Sequence, residues 1–308
     1  MNAYAIITDS ASNLSDATMD QYGIRAVSYR STIDGKDFAC YVRGRDHARA
    51  SREFYAAMRA GAEVRTTMVN VQTLLDAFEP ELEAGRDVLF ISISSALSGT
   101  FHAALLAAGE LRAHYPDRTV EVVDALSASL GEGLVVVEAA KQRAAGVSLA
   151  QAAAHLRGTR LTMINEFTVA DLKYLRRGGR ISPLVALAGS LLNIKPLLAA
   201  SREGTIAMLG KERGAKKALE ALADRLARQI VDPEHQTIGI AHCDNPDGAA
   251  YLEQCIRARV NVGGVLTEYY DLCTGAHVGP GTVALFYRGT GRELSDPAAG
   301  GEKQSIPA

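Results

Sequence analysis

Four hydroxyl side chains and one glycine lie in residues 94–100, between an apolar run at 88–93 and a helix-like run that begins at Phe101. A junction between a strand and a helix collects free backbone N–H groups and the positive end of the helix dipole. Hydroxyl groups at such a junction can also donate hydrogen bonds to an anion. The segment therefore predicts a binding site for a carboxylate or a phosphate.

Polar side chains also follow other predicted strands. Asp9 directly follows the first predicted strand, Asp124 ends the fourth, and Thr66 and Thr67 precede a helix that starts near Val71. Ligands of open α/β sheets bind beyond the carboxyl ends of the strands. Several polar junctions at this edge therefore favour a binding cleft lined by polar side chains. Helix capping explains each junction taken alone.

Sequence motifs of several enzyme classes are missing. Ser98 does not lie in a GxSxG elbow, because Ala96 stands where the first glycine is needed. No GxxxxGK[ST] loop occurs, which argues against binding ATP through a P-loop.

Two candidate residues lie in the second half of the chain. Arg180 follows Gly178 and Gly179 and could form a forked hydrogen bond to a carboxylate or phosphate. Taken alone, this segment favours the simpler interpretation, a helix C-cap with an exposed arginine. His277 lies in a segment rich in Gly and Pro, residues 274–282. We expect a rigid turn there, from which the imidazole could approach a ligand.

The elements that must position these residues follow from hydrophobic periodicity. In the first half, strands and helices alternate, which predicts an α/β fold with a mainly parallel sheet. Predicted strands are 4–8, 24–28, 88–93 and 120–123, and predicted helices are 48–60, 71–84, 101–115 and 131–145. Ser148 has the residue type of an N-cap for a helix from 149 to about 156.

A hairpin and further βα units in the second half predict a mixed sheet. Predicted strands are 161–167, 195–200, 205–209, 237–241, 265–272 and 282–287, and predicted helices are 171–176, 183–192, 215–229 and 247–259. We therefore predict an N-terminal α/β domain at 1–158 and a C-terminal α/β domain at 159–288. Residues 289–308 are rich in Gly, Pro and charge and predict a disordered tail.

Composition excludes several classes of function. The formal net charge of −2 creates no field that would attract nucleic acid or an anionic membrane. The apolar runs are too short to span a bilayer, and the first residues lack the features of a signal peptide. The four cysteines form no CxxC pair and the histidines lack metal-ligand spacing. We expect a cytoplasmic protein with reduced thiols and with neither a metal nor a cofactor.

Six segments occur together in the order seen in the DegV family, which the chain resembles over almost its whole length except the tail. They are TDS at 8–10, SSALSGT at 94–100, DLKYL at 171–175, GGRI at 178–181, LNIKP at 192–196 and AHVGPGT at 276–282. The resemblance implies two α/β domains with a long-chain fatty acid bound between them. It also implies a partner, the separate ATP-binding subunit of a fatty acid kinase, which makes the acyl phosphate, so that this chain has no activity alone.

The resemblance also implies roles for single residues. Thr67 and Ser98 match the hydroxyls that hold the fatty acid carboxylate, and the backbone after Ser98, at Gly99, is expected to add N–H donors. His277 matches a histidine near the head group. Arg180 matches an arginine linked to the kinase partner or the phosphoryl group, so His277 and Arg180 are expected to assist phosphoryl transfer by that partner.

Two departures from the family pattern keep other functions open. Met68-Val69-Asn70 stands where the family usually has Ser-Gln-Pro, and Ala125 stands where it usually has Ser. One alternative is a stand-alone transferase or hydrolase that acts on a small anionic substrate. Another is a binding module for a different lipid acid.

Overall fold

A four-stranded parallel sheet organises the first half of the chain in the computed structural model, which describes residues 4–181 and 193–293. Its strands are β1 (Ala5–Asp9), β2 (Ile24–Val27), β6 (Val88–Ser92) and β7 (Val120–Asp124). They pair in the order β2-β1-β6-β7, and every pair is parallel. The parallel sheet predicted from the alternating pattern is confirmed.

Helices cover both faces of this sheet. They are α1 (Asp16–Tyr22), α3 (Val71–Glu83), α4 (Thr100–His114), α5 (Leu130–Ala144) and α6 (Leu149–Thr159). Along β6, Leu89 packs into the cluster formed with α5 and α6, whereas Phe90 packs into the cluster that includes α3 and α4. All five residues of β6 are buried, because successive side chains of a central strand point into opposite cores.

A small antiparallel sheet was not predicted. It contains β3 (Arg30–Ile33), β4 (Lys36–Ala39) and β5 (Val64–Thr67) in the order β4-β3-β5, and α2 (His47–Arg59) lies between β4 and β5 in the chain. Its strands are four residues long and largely half-exposed, so their apolar pattern is weak. The signal that could have found it is Asp34-Gly35, a tight hairpin turn in which both residues have positive φ.

A six-stranded sheet forms the framework of the second half. Its strands are β8 (Met163–Thr168), β9 (Ile194–Ala200), β10 (Ile206–Arg213), β11 (Thr237–His242), β12 (Gly264–Tyr269) and β13 (Val283–Arg288). They pair in the order β10-β9-β8-β13-β11-β12, and only the β11–β12 pair is parallel. The predicted mixed sheet is therefore confirmed.

Four helices of the second half are described: α7 (Lys173–Arg177), α8 (Ala215–Gln229), α9 (Pro246–Arg257) and α10 (Leu272–Val278). The helix predicted at 183–192 lies outside the described residues. None of the helices in the described part of the chain is long and apolar enough to cross a membrane. All four cysteines are free and buried.

The structure differs from two predictions near the C-terminus: the turn at residues 274–282, and the disordered tail for its first five residues, 289–293. The segment around His277 is not a turn: β12 ends at Tyr269, and Asp271 starts α10 by accepting hydrogen bonds from the N–H groups of Cys273 and Thr274. Residues 289–293 are also ordered against the core. The Arg292 side chain is buried and donates to three backbone carbonyls and to Ser127 Oγ.

Hydrogen bonds join the loops of the parallel sheet to the second half. Ser94 Oγ donates to the carbonyl of Gly204 at 2.9 Å, and Asn13 Nδ2 donates to the carbonyl of Tyr269 at 2.6 Å. These bonds hold the carboxyl ends of the parallel strands against the mixed sheet, and a cavity lies between the two sheets.

Candidate functional site

A cavity of about 270 Å³ lies between the two halves of the chain. Its walls are mainly apolar, with side chains from the parallel-sheet half and from the mixed sheet: Ile93, Leu97, Leu126, Phe167, Leu175, Ile206, Val278 and Phe286. Polar groups are also present in the wall, among them Ser98, Thr66, Arg180 and His277. An apolar cavity with a few convergent polar groups is typical of a small-molecule binding site.

Three hydroxyl groups converge beside the start of α4. Tyr29 Oη lies 3.1 Å from Ser98 Oγ and 2.7 Å from Thr100 Oγ1, and the two smaller hydroxyls are 3.0 Å apart. Burial raises the pKa of Tyr29 well above its ordinary value, so its hydroxyl stays protonated and can donate. Because Thr100 Oγ1 also accepts from the N–H of Val69, the Tyr29 hydroxyl can donate to Thr100 and leave the Ser98 hydroxyl free to turn toward a ligand.

The strand-to-helix junction lies where the sequence predicted it. β6 ends at Ser92 and α4 begins at Thr100, with Gly99 as an N-cap that makes no side-chain capping bond. Gly99 lies under the Met68 side chain, since a Cβ atom at Gly99 would come within 2.5 Å of Met68 Sδ. Met68 therefore packs directly on Gly99, and only glycine fits beneath it without displacing the thioether. In the first turn of α4, the Thr100 N–H donates to Ser98 Oγ at 3.3 Å.

His277 lies on the last turn of α10 and forms part of the cavity wall. Its Nε2 atom is 2.8 Å from Thr66 Oγ1. On the other side of the ring, Gly178 packs so closely that a Cβ atom there would lie 2.1 Å from Nδ1. Burial, together with the positive charge of Arg180, lowers the pKa of His277 to about 4, so the imidazole is neutral near pH 7.

Arg180 carries a positive charge at the wall of the same cavity. Its Nε donates to the carbonyl of Leu97 at 3.2 Å, and Nη1 donates to the carbonyl of Gly178. Among residues 4–181 and 193–293, no carboxylate lies within ion-pair distance of this guanidinium. A cation held by carbonyl dipoles without a counter-ion favours an anionic ligand.

Thr67 does not lie in the cavity wall, contrary to the expectation that its hydroxyl faces a ligand. The pairing of β3 with β5 places Thr66 opposite Ser31 and Thr67 opposite Arg30. Successive side chains of a strand point to opposite faces, so Thr66 faces the cavity and Thr67 is exposed. Sequence reasoning missed this because it did not identify β5.

Tyr29 and Thr100 were also missed as site residues. Thr100 belongs to the hydroxyl-rich segment itself, and its position at the first turn of α4 was a usable signal. Tyr29 had no signal in the sequence, because it follows β2 by two residues and reaches the site only through the tertiary fold.

Two other polar residues at the strand ends, Asp9 and Asp124, accept hydrogen bonds from backbone N–H groups of the loops. Asp9 accepts hydrogen bonds from the N–H groups of Ile93 and Ala11, each at 3.0 Å, and burial raises its pKa to about 7. Asp124 accepts from the N–H groups of Ser95 and Leu126. These carboxylates cap loops at the sheet edge, as the capping interpretation predicts for each junction alone.

Residues 68–70, which depart from the family pattern, fit the fold without disrupting the loop or the helix that follows it. Met68 is 48% exposed at the mouth of the cavity, and Val69 is buried in the core. Asn70 caps α3 by accepting a hydrogen bond from the N–H of Thr73 at 2.9 Å. The different residues therefore keep the loop and its helix while placing a flexible thioether over the entrance. Within the described residues, no cluster of His, Cys, Asp and Glu could hold a metal ion.

Comparison with known proteins agrees with this architecture. The family model described as "Uncharacterised protein, DegV family" matches residues 3–290. A DegV domain-containing protein of Clostridium perfringens is 36% identical over 293 residues, which cover 95% of this chain and all of that protein. The chain therefore belongs to the DegV family.

Solved structures of similar proteins share the fold. A DegV family protein of Thermus thermophilus, described as binding fatty acid, is 30% identical with a TM-score of 0.82, over 94% of this chain and all of that one. A protein of Thermotoga maritima, described as revealing a fatty acid binding function, is 27% identical with a TM-score of 0.80 over the same shares. The chain thus has the two-domain α/β fold of DegV proteins.

Proposed function

We propose that this chain binds a long-chain fatty acid in the cavity between its two sheets, with the carboxylate at Ser98, His277 and Arg180. The observation that carries the proposal is the composition of the cavity wall. It is mainly apolar and also presents hydroxyl, imidazole and guanidinium groups, whereas none of the described residues that line it is Asp or Glu. The fatty acid binding described for the Thermus and Thermotoga relatives supports the same ligand class.

The apolar wall supplies most of the binding free energy. Burying each CH2 group of an acyl chain contributes ~0.8 kcal/mol, so a long chain gains on the order of 10 kcal/mol before the costs of ordering are subtracted. Phe167, Leu175 and Phe286 form part of the surface against which the chain packs.

The polar groups offset the desolvation of the carboxylate, which is costly to bury without hydrogen bonds. Ser98 Oγ and the free N–H groups at the start of α4 donate to it. Arg180 supplies the positive charge, and the neutral imidazole of His277 donates when its proton is on the nitrogen that faces the ligand.

The further step of this proposal is presentation of the carboxylate to a separate ATP-dependent fatty acid kinase subunit. No P-loop is present in the sequence, and we therefore assign the phosphoryl donor to a separate chain, as the resemblance to the DegV family implies. Phosphoryl transfer requires positive charge near the carboxylate, and we assign this role to the guanidinium of Arg180, whereas the neutral imidazole of His277 contributes only hydrogen bonding. Met68 is half-exposed and lies against Gly99, and we assign the approach of the partner to this side of the cavity.

Organic extraction of the purified protein followed by mass spectrometry tests the ligand. We expect a co-purified fatty acid, and a delipidated sample is expected to bind added fatty acid. An extract without lipid, together with no binding of added acid, contradicts the proposal. A different lipid acid in the extract favours the alternative binding module.

Ser98→Ala tests the head-group site against a matched control, Ser95→Ala. Ser98 lines the cavity, whereas Ser95 lies three residues away and is not part of its wall. A lost hydrogen bond to a charged group costs about 1.5–3 kcal/mol, so Ser98→Ala should raise the dissociation constant by roughly 10- to 100-fold. Equal dissociation constants for the two variants would remove Ser98 from the site.

Trapping acyl phosphate with hydroxylamine tests the kinase step. The protein with bound fatty acid and ATP is expected to yield no hydroxamate alone, and to yield it when the kinase subunit of the same organism is added. Arg180→Met should weaken fatty acid binding, and at a fatty acid concentration that saturates the variant it should also lower the yield of hydroxamate. Turnover by the chain alone would instead support a stand-alone transferase.

A further inference from the structure

A second, smaller cavity of about 110 Å³ lies beside the first half of the fold, where the start of α2 and the end of β12 meet. Tyr270 belongs to the walls of both cavities, so the two spaces are neighbours. Nothing in the proposed binding of a fatty acid uses this second cavity, which is too small for an acyl chain.

Polar groups without partners line this cavity. The Glu268 carboxylate is half-buried, and within the described residues it makes neither a hydrogen bond nor an ion pair. Ser51 is only 4% exposed, and its hydroxyl likewise lacks a partner in the described part of the chain. The buried Nε2 atom of His47 has none either. Buried polar groups are normally hydrogen-bonded, so the unpartnered His47 Nε2 and the buried Ser51, beside the half-buried Glu268, point to a missing ligand.

The charged residues around the cavity indicate whether that ligand is a cation or an anion. None of the residues that line it is Lys or Arg, and burial lowers the pKa of His47, which is therefore neutral near pH 7. Glu268 and Asp271 are both in the wall, and Asp271 already accepts hydrogen bonds from its own helix. A buried anion would face two carboxylates without a compensating cation, whereas a cation would pair with Glu268.

Aromatic rings add a second feature that suits a cation. Tyr41 lies in the wall with one ring face covered by His47, the ring centroids being 5.3 Å apart. Tyr269 is also in the wall, and its ring packs against His242 with centroids 4.4 Å apart. Tyrosine rings attract organic cations through their faces. The volume exceeds that of a bare metal ion, and hydroxyl and aromatic groups around a single free carboxylate suit an ammonium group that carries a short organic substituent.

We propose that this second cavity binds a small protonated amine, whose ammonium group pairs with Glu268 and donates to Ser51. Tyr41 and Tyr269 enclose its organic part. At the binding efficiency of very small ligands, a ligand of about four heavy atoms is expected to have a dissociation constant on the order of 1 mM.

Isothermal titration calorimetry of the full chain in phosphate buffer tests this inference, with ethanolammonium chloride as the probe. Sodium acetate and potassium chloride at equal ionic strength form the comparison arms. We expect saturable binding of one ethanolammonium per chain and no saturable binding of acetate. Saturable potassium binding without amine binding, or no saturable binding of the amine, would overturn the proposal.

Glu268→Gln is expected to weaken amine binding at least tenfold, because the neutral amide removes the ion pair while keeping the shape of the side chain. Glu110→Gln, an exposed carboxylate on α4, is the matched control and should bind as the wild type does. Ser51→Ala gives an independent variant with a smaller expected loss. Unchanged binding in Glu268→Gln refutes the site. Fatty acid binding by the same samples is measured separately, so failure of one proposal does not imply failure of the other.

Discussion

Gly178→Ala probes the contact on which the position of His277 depends. Gly178 has φ of −72° and ψ of −12°, a conformation that alanine adopts without strain. The new Cβ atom would nevertheless lie 2.1 Å from His277 Nδ1, where ordinary contacts need about 3.5 Å or more. The imidazole must therefore move by more than about 1 Å, which is enough to break its 2.8 Å hydrogen bond to Thr66.

The size of the effect follows from these two consequences. Overpacking a buried contact costs about 1–3 kcal/mol, and the lost hydrogen bond costs about 1 kcal/mol more. We expect the free energy of unfolding to fall by roughly 2–4 kcal/mol. If His277 contacts the carboxylate as proposed, fatty acid affinity should also fall by about tenfold, the equivalent of 1.4 kcal/mol.

Urea unfolding measures the free energy of unfolding, and titration measures the fatty acid affinity. The decisive comparison is Gly178→Ala made in the wild type and in His277→Ala. Once the imidazole is gone, a Cβ atom at Gly178 meets no ring, so the cost of Gly178→Ala should vanish in the double variant. Gly158→Ala, in α6 with open space around the new Cβ, is the matched control and should be neutral or slightly stabilising. An equal cost of Gly178→Ala with and without His277 would refute the reasoning.

Two further predictions concern stability. The pKa of His277 is lowered from 6.5 to about 4, so the unfolded state takes up the proton first as the pH falls. As the pH falls from 6.5 to 4, the free energy of unfolding of the wild type should therefore decrease relative to that of His277→Gln, by at most ~3 kcal/mol. Urea unfolding at several pH values measures this, and a difference between the two proteins that does not change with pH contradicts the prediction. Arg292→Met removes four buried hydrogen bonds and should cost about 3 kcal/mol, whereas the exposed Arg52→Met should cost little. Equal unfolding midpoints for these two arginine variants would show that residues 289–293 do not support the fold.

Local patterns in the sequence predicted most of the large elements. Buried strands such as β6 are continuous apolar runs, and helix α8 was predicted with the same bounds, 215–229, that the structure has. These features depend on periodicity and capping within about fifteen residues, which are written in the sequence itself. The junction before Ser98 was found for the same reason.

Contacts between distant segments could not be predicted in this way. The Tyr29 hydroxyl meets Ser98 across 69 residues, and Thr66 meets His277 across 211. Arg292 was assigned to a disordered tail because its segment is rich in Gly, Pro and charge, yet its partners are backbone carbonyls that lie together only after folding.

The sequence by itself therefore determined the α/β class, the family and the hydroxyl-rich junction at residues 94–100. Only the tertiary structure decided which hydroxyls share the site, that Thr66 rather than Thr67 faces the cavity, and that His277 lies on a helix against Gly178. The reason is physical: element type follows from local periodicity, whereas the facing of a side chain follows from strand register and from packing between elements far apart in the chain.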